Sequence, residues 1–192
     1  MKHYCRSSGN GLPTPVFSKK EIADAVQRLA DQINRDYTGQ KLCMVVVLKG
    51  AFIFAADLAR RLEVPVEIDF VKLASYEGTE TSGRVEIKKD VDTLMAGKSV
   101  LVVEEIVDTG ITLNHLIRHL ADKRPGSLRV CTLIDKRERR RVAVPVDYAG
   151  LICNSGFLVG YGLDYNECCR ELEAIYEVAD LSFCGGLDDN SM

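Results

Sequence analysis

VLVVEEIVDTGITL, residues 100–113, passes from an apolar β-branched run to three carboxylates and then to a helix start. Glu104 and Glu105 end the run and Asp108 follows. Thr109-Gly110-Ile111-Thr112 then opens a segment with Leu113, Leu116, Ile117 and Leu120 at helical spacing, which Pro125-Gly126 stops. Residues 128–134 supply the next strand. Upstream the pattern repeats: Met44-Val45-Val46-Val47-Leu48 reads as a strand, Lys49-Gly50 as a tight turn, and Phe52, Ala55, Ala56, Ala59 and Leu62 fall on one helical face. Strands that are apolar throughout, alternating with helices, indicate an α/β fold with a doubly wound, mostly parallel sheet covered on both faces.

Such sheets bind ligands beyond the carboxyl ends of their strands, where this chain puts its acids and a helix start. The Gly110 turn and the first helical amides offer unpaired N–H groups, and the helix dipole favours negative charge, so a phosphate can sit there without a lysine. Thr109 and Thr112 add hydroxyl donors. The two glutamates would repel a phosphate that touched them. They therefore face sugar hydroxyls, a divalent cation, or both, and ribose with magnesium fits. Taken singly, an Asp-Thr-Gly triplet or a Glu-Glu pair reads as a solvated turn; at a strand end in this order they read as a site.

Around this core, Ser18 and Glu21 form a capping box ahead of Ile22, Val26, Leu29 and Ile33, which predicts a helix of about five turns. Residues 1–17 read as a loose leader and 185–192 as a polar tail, leaving 18–184 as a single domain. The polar stretch 75–83, between the extended segment 64–74 and the alternating Val85 and Ile87, reads either as an exposed hairpin loop or as a lid. With 46% hydrophobic and 28% charged residues, disorder, collagen and coiled coil are excluded. The net charge of −3, from 25 Lys and Arg against 28 Asp and Glu, argues against a general nucleic-acid or anionic-membrane binder. The seven cysteines lack a CxxC pair and read as reduced thiols; with no signal-peptide pattern or membrane-length run, a cytoplasmic location is expected. His115 and His119, spaced i,i+4, have no third ligand of matching spacing and read as surface residues. Arg137, Arg139, Arg140 and Arg141 read as a solvated basic turn.

The stretch 100–113 resembles the 5-phosphoribosyl 1-diphosphate signature of the type I phosphoribosyltransferases. Four further segments resemble the hypoxanthine-guanine branch of that family in the family's order: VVVLKGAFIFAADLARRL the diphosphate loop and helix, LASYEGTETSG the mobile loop, TLIDK the purine-side strand, and FLVGYGLDYNECCREL the C-terminal base-binding segment. The resemblance implies that a 6-oxopurine displaces diphosphate from the anomeric carbon of 5-phosphoribosyl 1-diphosphate, with Mg2+. It implies a hood built from the chain termini, with its C-terminal part from about residue 157. Asp108 matches the base-side acid, and the segment from Asp108 through Thr109, Gly110, Ile111 and Thr112 the 5′-phosphate loop, although Ile111 stands where the family often has Lys and its side chain is given no catalytic role. Glu104 and Glu105 match the ribose pair, with Glu105 where the family usually has Asp, so that its carboxylate reaches about a bond length further out and toward the metal. Lys49 and Gly50 match the diphosphate loop, with a cis peptide between Leu48 and Lys49. Ser75 and Tyr76 match the lid pair, Lys136 the donor to the purine 6-oxo group, Phe157 the stacking aromatic, Leu158 the residue whose backbone faces the base, Asp164 an acid near magnesium and the guanine amino group, and Arg170 a diphosphate ligand. A homodimer or homotetramer is implied. Two other readings stay open: a regulatory protein that senses the sugar diphosphate while binding nucleic acid through the arginine turn, and a transferase for xanthine, uracil or adenine.

Overall fold

In the computed structural model, which describes residues 14–76, 84–154 and 156–178, Ser18 caps the first helix as its sequence predicts. The Ser18 hydroxyl accepts from the Glu21 amide at 3.3 Å while the Ser18 amide donates to Glu21 Oε2 at 2.9 Å. Donors that the helix start would leave unpaired are thereby satisfied. This helix, α1 (Lys19–Asp36), buries Ile22, Val26, Leu29 and Ile33. The chain continues through β1 (Leu42–Leu48), α2 (Phe52–Ala59), β2 (Val66–Tyr76), β3 (Arg84–Lys89), β4 (Ser99–Val107), α3 (Ile111–Ala121), β5 (Ser127–Lys136) and β6 (Tyr148–Cys153). It closes on a small ribbon of β7 (Leu158–Val159) and β8 (Tyr176–Glu177).

Six strands form one sheet in the order β3-β2-β1-β4-β5-β6, and every pair is parallel except β2 with β3. Alternation along β1 divides the core. Met44 and Val46 pack with α1 and α2 on one face, while Cys43, Val45 and Val47 pack with α3 on the other. The sheet is thus doubly wound, as expected. Burial pushes the Cys43 and Cys131 thiols above their ordinary range, in keeping with their use as small hydrophobes.

The site is positioned by a mismatch of strand lengths. β1 lies between β2 and β4, so α2 leads the chain to one side of it and α3 carries it away on the other; that is where the strand order reverses. Pairing of β1 with β4 ends at Val46 opposite Val103, whereas β4 runs on against β5 to Val107 opposite Asp135. A crevice opens where β4 has outrun β1. This corrects one expectation: Glu104 and Glu105 lie inside β4 rather than at its end, because Ile106 and Val107 still find partners on β5.

β6 was not anticipated from the sequence. Tyr148-Ala-Gly-Leu-Ile-Cys153 is an edge strand with mixed burial, held by parallel pairing to β5, and it lacks the sustained apolar run that marks the central strands. Of the leader, residues 1–13 lie outside the described residues, as does the tail. Val16 and Phe17 donate to Ile175 O at 2.8 and 3.2 Å, and the Ile175 amide returns a bond to Phe17 O at 2.9 Å, so both ends of the described chain meet at the hood. No helix among the described residues is long and apolar enough to cross a membrane.

Ser18→Ala removes the cap that aims α1 away from this junction. It is expected to cost about 1 kcal/mol, seen as a fall in Tm of about 2–4 °C by calorimetry, with the secondary-structure content unchanged.

Candidate active site

The crevice is walled by the ends of β1, β4 and β5 and by the hood. At the end of β1 the Leu48–Lys49 peptide is cis, as the resemblance implied. Gly50 follows, and the Glu105 carboxylate lies over its bare Cα: a Cβ there would lie 1.9 Å from Glu105 Oε1 and would push that side chain aside. The hood presses on the same point. Gly162 adopts φ +101°, and a Cβ on it would lie 2.1 Å from Gly50 O. Glu105, the diphosphate loop and the hood therefore converge on one backbone unit, and the extra methylene of Glu105 is accommodated by the bare Cα of Gly50.

Arg170 ties the hood side together. It donates to Gly162 O at 2.7 Å and pairs with Asp164 at 2.9 Å and Glu167 at 3.2 Å. Glu167 also receives Lys49 at 2.9 Å, and Lys49, then Arg170, hold its carboxyl below the usual glutamate range. The Glu167 amide donates to Asp164 Oδ2 at 2.9 Å.

Across the crevice, Gly110 turns the chain into α3 with φ +79°, and a Cβ there would strike Val142 O at 2.4 Å. The first turn of α3 contains no acidic residue, and its N-cap makes no side-chain capping bond. The amides at Ile111 and Thr112 thus open a helix whose dipole favours an anion, with Thr109 Oγ1 3.4 Å from the Ile111 amide. The arginine turn is exposed at Arg137, Arg139 and Arg141, as the sequence reading has it, and departs from that reading at Arg140 alone. Arg140 donates to Val107 O at 3.1 Å, to Asp108 O at 2.9 Å and to Asp135 Oδ1 at 2.6 Å, with its side chain only 19% exposed. Arg137 pairs with Asp135 at 2.7 Å and Arg139 with Asp108 at 3.5 Å. Arg140 therefore braces the segment that carries Asp108 against β5. In a sequence with four arginines among five residues, nothing distinguishes the one that turns inward.

Lys136 ends β5 and is buried; it donates to Gly156 O at 2.6 Å, which leaves an ammonium with further donors beside the hood. Phe157 is 46% exposed, with its ring set edge-on to Tyr165 at 5.9 Å, while Leu158 is buried in β7. Ser75 and Tyr76 are the last residues of β2, paired with Val85 and Arg84 of β3. Of the lid expected at 75–83, residues 77–83 lie outside the described residues. His119 bonds Asp90 at 3.0 Å on the far side of α3, and no metal cluster of three or more His, Cys, Asp or Glu occurs among the described residues. Glu104, Glu105 and Asp164 accordingly do not form a closed protein cage.

The phosphoribosyl transferase domain pattern matches residues 16–166. The chain belongs to the phosphoribosyltransferase family. It is 42% identical over 184 residues to the hypoxanthine-guanine phosphoribosyltransferase of Mycobacterium tuberculosis, covering 92% of this chain and 87% of that one. It is 40% identical to the enzyme of the same name from Aquifex aeolicus, covering 86% of this chain and 94% of the relative. The crystal structure of a hypoxanthine-guanine phosphoribosyltransferase from Bacillus anthracis superposes with a TM-score of 0.83 at 42% identity, over 87% of this chain and 99% of that one. The protein is a phosphoribosyltransferase enzyme with the type I fold.

The electrostatics of its crevice are dominated by the buried glutamate pair. Burial, then the neighbouring Glu105 carboxylate, push Glu104 well above the ordinary carboxylate range; burial also raises Glu105, against the pull of Arg170. Glu105 Oε2 is buried with no hydrogen-bond partner among the described residues. Two hard, poorly solvated carboxylates fit a magnesium ion that keeps water and substrate oxygens as its other ligands.

A folded-state value raised above the unfolded 4.5 leaves Glu104 harmless at acid pH and makes it cost stability as pH rises through the raised value. In magnesium-free buffer, Glu104→Gln is therefore expected to raise Tm by about 2–6 °C at neutral pH, with the gain vanishing toward about pH 4. Thermal melts across pH would show this; a gain independent of pH would assign the cost to something other than ionisation.

Proposed function

We propose that this enzyme transfers the 5-phosphoribosyl group from 5-phosphoribosyl 1-diphosphate to hypoxanthine or guanine, giving IMP or GMP and diphosphate in purine salvage. The observation that carries the choice of base is Lys136, a buried ammonium held by the carbonyl of Gly156, the residue before the exposed Phe157. An acceptor at purine C6 satisfies such a group. An exocyclic amine there would set donor against donor, and a buried donor left unpaired discriminates strongly.

The remaining roles follow the crevice from end to end. The α3 start at Thr109, Gly110, Ile111 and Thr112 takes the 5′-phosphate on main-chain amides and hydroxyls. Glu104 holds the ribose hydroxyls. Phe157 stacks on the base and the Leu158 backbone faces it. Lys49, Gly50 and Arg170 receive the diphosphate, and Ser75 and Tyr76 close over it to exclude water. A purine ring nitrogen attacks the anomeric carbon as its bond to diphosphate oxygen breaks, and the imidazole proton passes to Asp108. Asp108 is well disposed for this: Arg140 fixes its carbonyl, and its buried Oδ1 has no hydrogen-bond partner among the described residues. The transition state is a cationic ribose, which the nearby carboxylates favour.

Mg2+, when bound, supplies positive charge to the leaving diphosphate, and Glu104, Glu105 and Asp164 are the residues that would hold it, directly or through water. Asp164 also lies on the side of the guanine amino group. The working location is the cytoplasm, and the partners are small molecules, with no nucleic acid and no membrane. The arginine turn favours this over a nucleic-acid sensor, since Arg137, Arg139 and Arg140 face Asp135 and Asp108. Self-association as a homodimer or homotetramer is supported by Ile68 and Phe70, exposed on one face of β2 by the two-residue period, and by exposed Phe52 at the start of α2.

The decisive experiment is a base panel of hypoxanthine, guanine, xanthine, adenine and uracil, each with 5-phosphoribosyl 1-diphosphate and magnesium, followed by nucleotide formation. Turnover is expected with hypoxanthine and guanine and not with adenine or uracil; silence with every purine would end the proposal. Lys136→Ala is expected to lower kcat/KM for hypoxanthine by about 10²-fold or more and to narrow the gap to adenine; unchanged discrimination would remove Lys136 from the base site.

A further inference from the structure

Lys49 and Arg170 come from opposite sides of the crevice, the diphosphate loop and the hood, yet both reach the same atom, Glu167 Oε2, at 2.9 and 3.2 Å. The backbone is bent to deliver that carboxylate. Asn166, Glu167 and Cys169 all take positive φ, at 48°, 65° and 73°, a region that residues other than glycine seldom occupy. Paired bonds between Tyr165 and Cys168, at 3.2 and 2.9 Å, close the turn with Asn166 and Glu167 at its tip. Arg170 carries a further sign that it awaits a ligand: its Nε is buried with no hydrogen-bond partner among the described residues, although its other nitrogens are engaged. Two cations meant for an anionic leaving group are thus drawn together by an anion from the chain itself.

We propose that the Glu167 carboxylate is a built-in stand-in for diphosphate: it bridges Lys49 and Arg170 in the free enzyme and is expelled when diphosphate or the sugar diphosphate binds. The inference rests on the diphosphate role given to those cations above. Glu167 neutralises Lys49 and adds to the negative charge that Asp164 already sets against Arg170, and so pre-positions both cations. It also weakens the hold on diphosphate, because part of the binding energy goes into breaking two existing ion pairs, and the returning carboxylate favours release of the product. Glu167 is 62% exposed at its side chain and Lys49 50%, so that pair has only a modest strength, as exposed pairs do, while Arg170, 17% exposed, keeps Asp164 as a partner when Glu167 leaves. A device of this kind must be weak, or diphosphate could not displace it.

The sign of the effect is the test. Titration calorimetry with inorganic diphosphate in saturating magnesium would compare the wild-type chain with Glu167→Gln and Glu167→Asn. Asn populates the left-handed region that position 167 needs, so the second variant keeps the turn while withdrawing the charge. Both variants are expected to bind diphosphate about threefold to tenfold more tightly, with KM for the sugar diphosphate falling in step and KM for hypoxanthine unchanged. Equal or weaker diphosphate binding in folded variants would overturn the inference and make Glu167 an organiser of the two cations. A wild-type protein that fails to bind diphosphate at all would overturn the diphosphate assignment itself, and the stand-in with it.

Discussion

A Cβ on Gly50 would lie 1.9 Å from Glu105 Oε1, and a Cβ on Gly162 would lie 2.1 Å from Gly50 O, so three parts of the chain meet at one backbone unit. One is the loop that leaves β1, one is the carboxylate that β4 presents, and one is the hood returning from the far end of the chain. Their contact depends on the sheet, because β4 continues along β5 after β1 has stopped and the loop from β1 folds into the gap. The close approach sets the position of Lys49 on one side and, through Gly162 O, of Arg170 on the other.

Charge in the crevice is balanced locally. Glu104 and Glu105 are buried together and favour a proton or a cation between them, Asp164 and Glu167 occupy Arg170, and Glu167 also occupies Lys49. On the opposite side Arg140 spends its guanidinium on main-chain carbonyls and Asp135, which stiffens the segment bearing Asp108 without placing a free cation near the base. An anion at the start of α3 needs no side-chain charge, since amides and the helix dipole suffice. A protein of net charge −3 can therefore hold a ligand with three phosphate groups: the favourable charges are few, oriented, and already neutralised by acids that a ligand or metal can replace.

Much of this was legible along the chain. The apolar runs 44–48 and 99–103, each followed by a turn and a helical stripe, specify a doubly wound sheet because strands covered on both faces cannot alternate with polar residues. The Ser18 cap, the Gly110 turn and the start of α3 are local features, set within a few residues, and each is found where the sequence puts it. β6 was not legible, because an edge strand is held by pairing to β5 rather than by an apolar pattern of its own. Nor was the inward turn of Arg140, which depends on Asp135 and the carbonyls of residues 107 and 108 lying in reach across the strand ends.

The sequence by itself determined the fold class, the family and the residue types gathered at the strand ends, since these follow from periodicity and from motifs that are contiguous in the chain. Tertiary structure alone decided which of those residues touch. The placement of Glu105 against Gly50, the closure of Gly162 over the same backbone, and the bridging of Lys49 and Arg170 by Glu167 join residues more than 50 positions apart in the first two cases and more than 100 in the third. Contacts at that separation are set by strand length, sheet order and backbone twist at the hood, and none of these has a local signature in the amino-acid sequence.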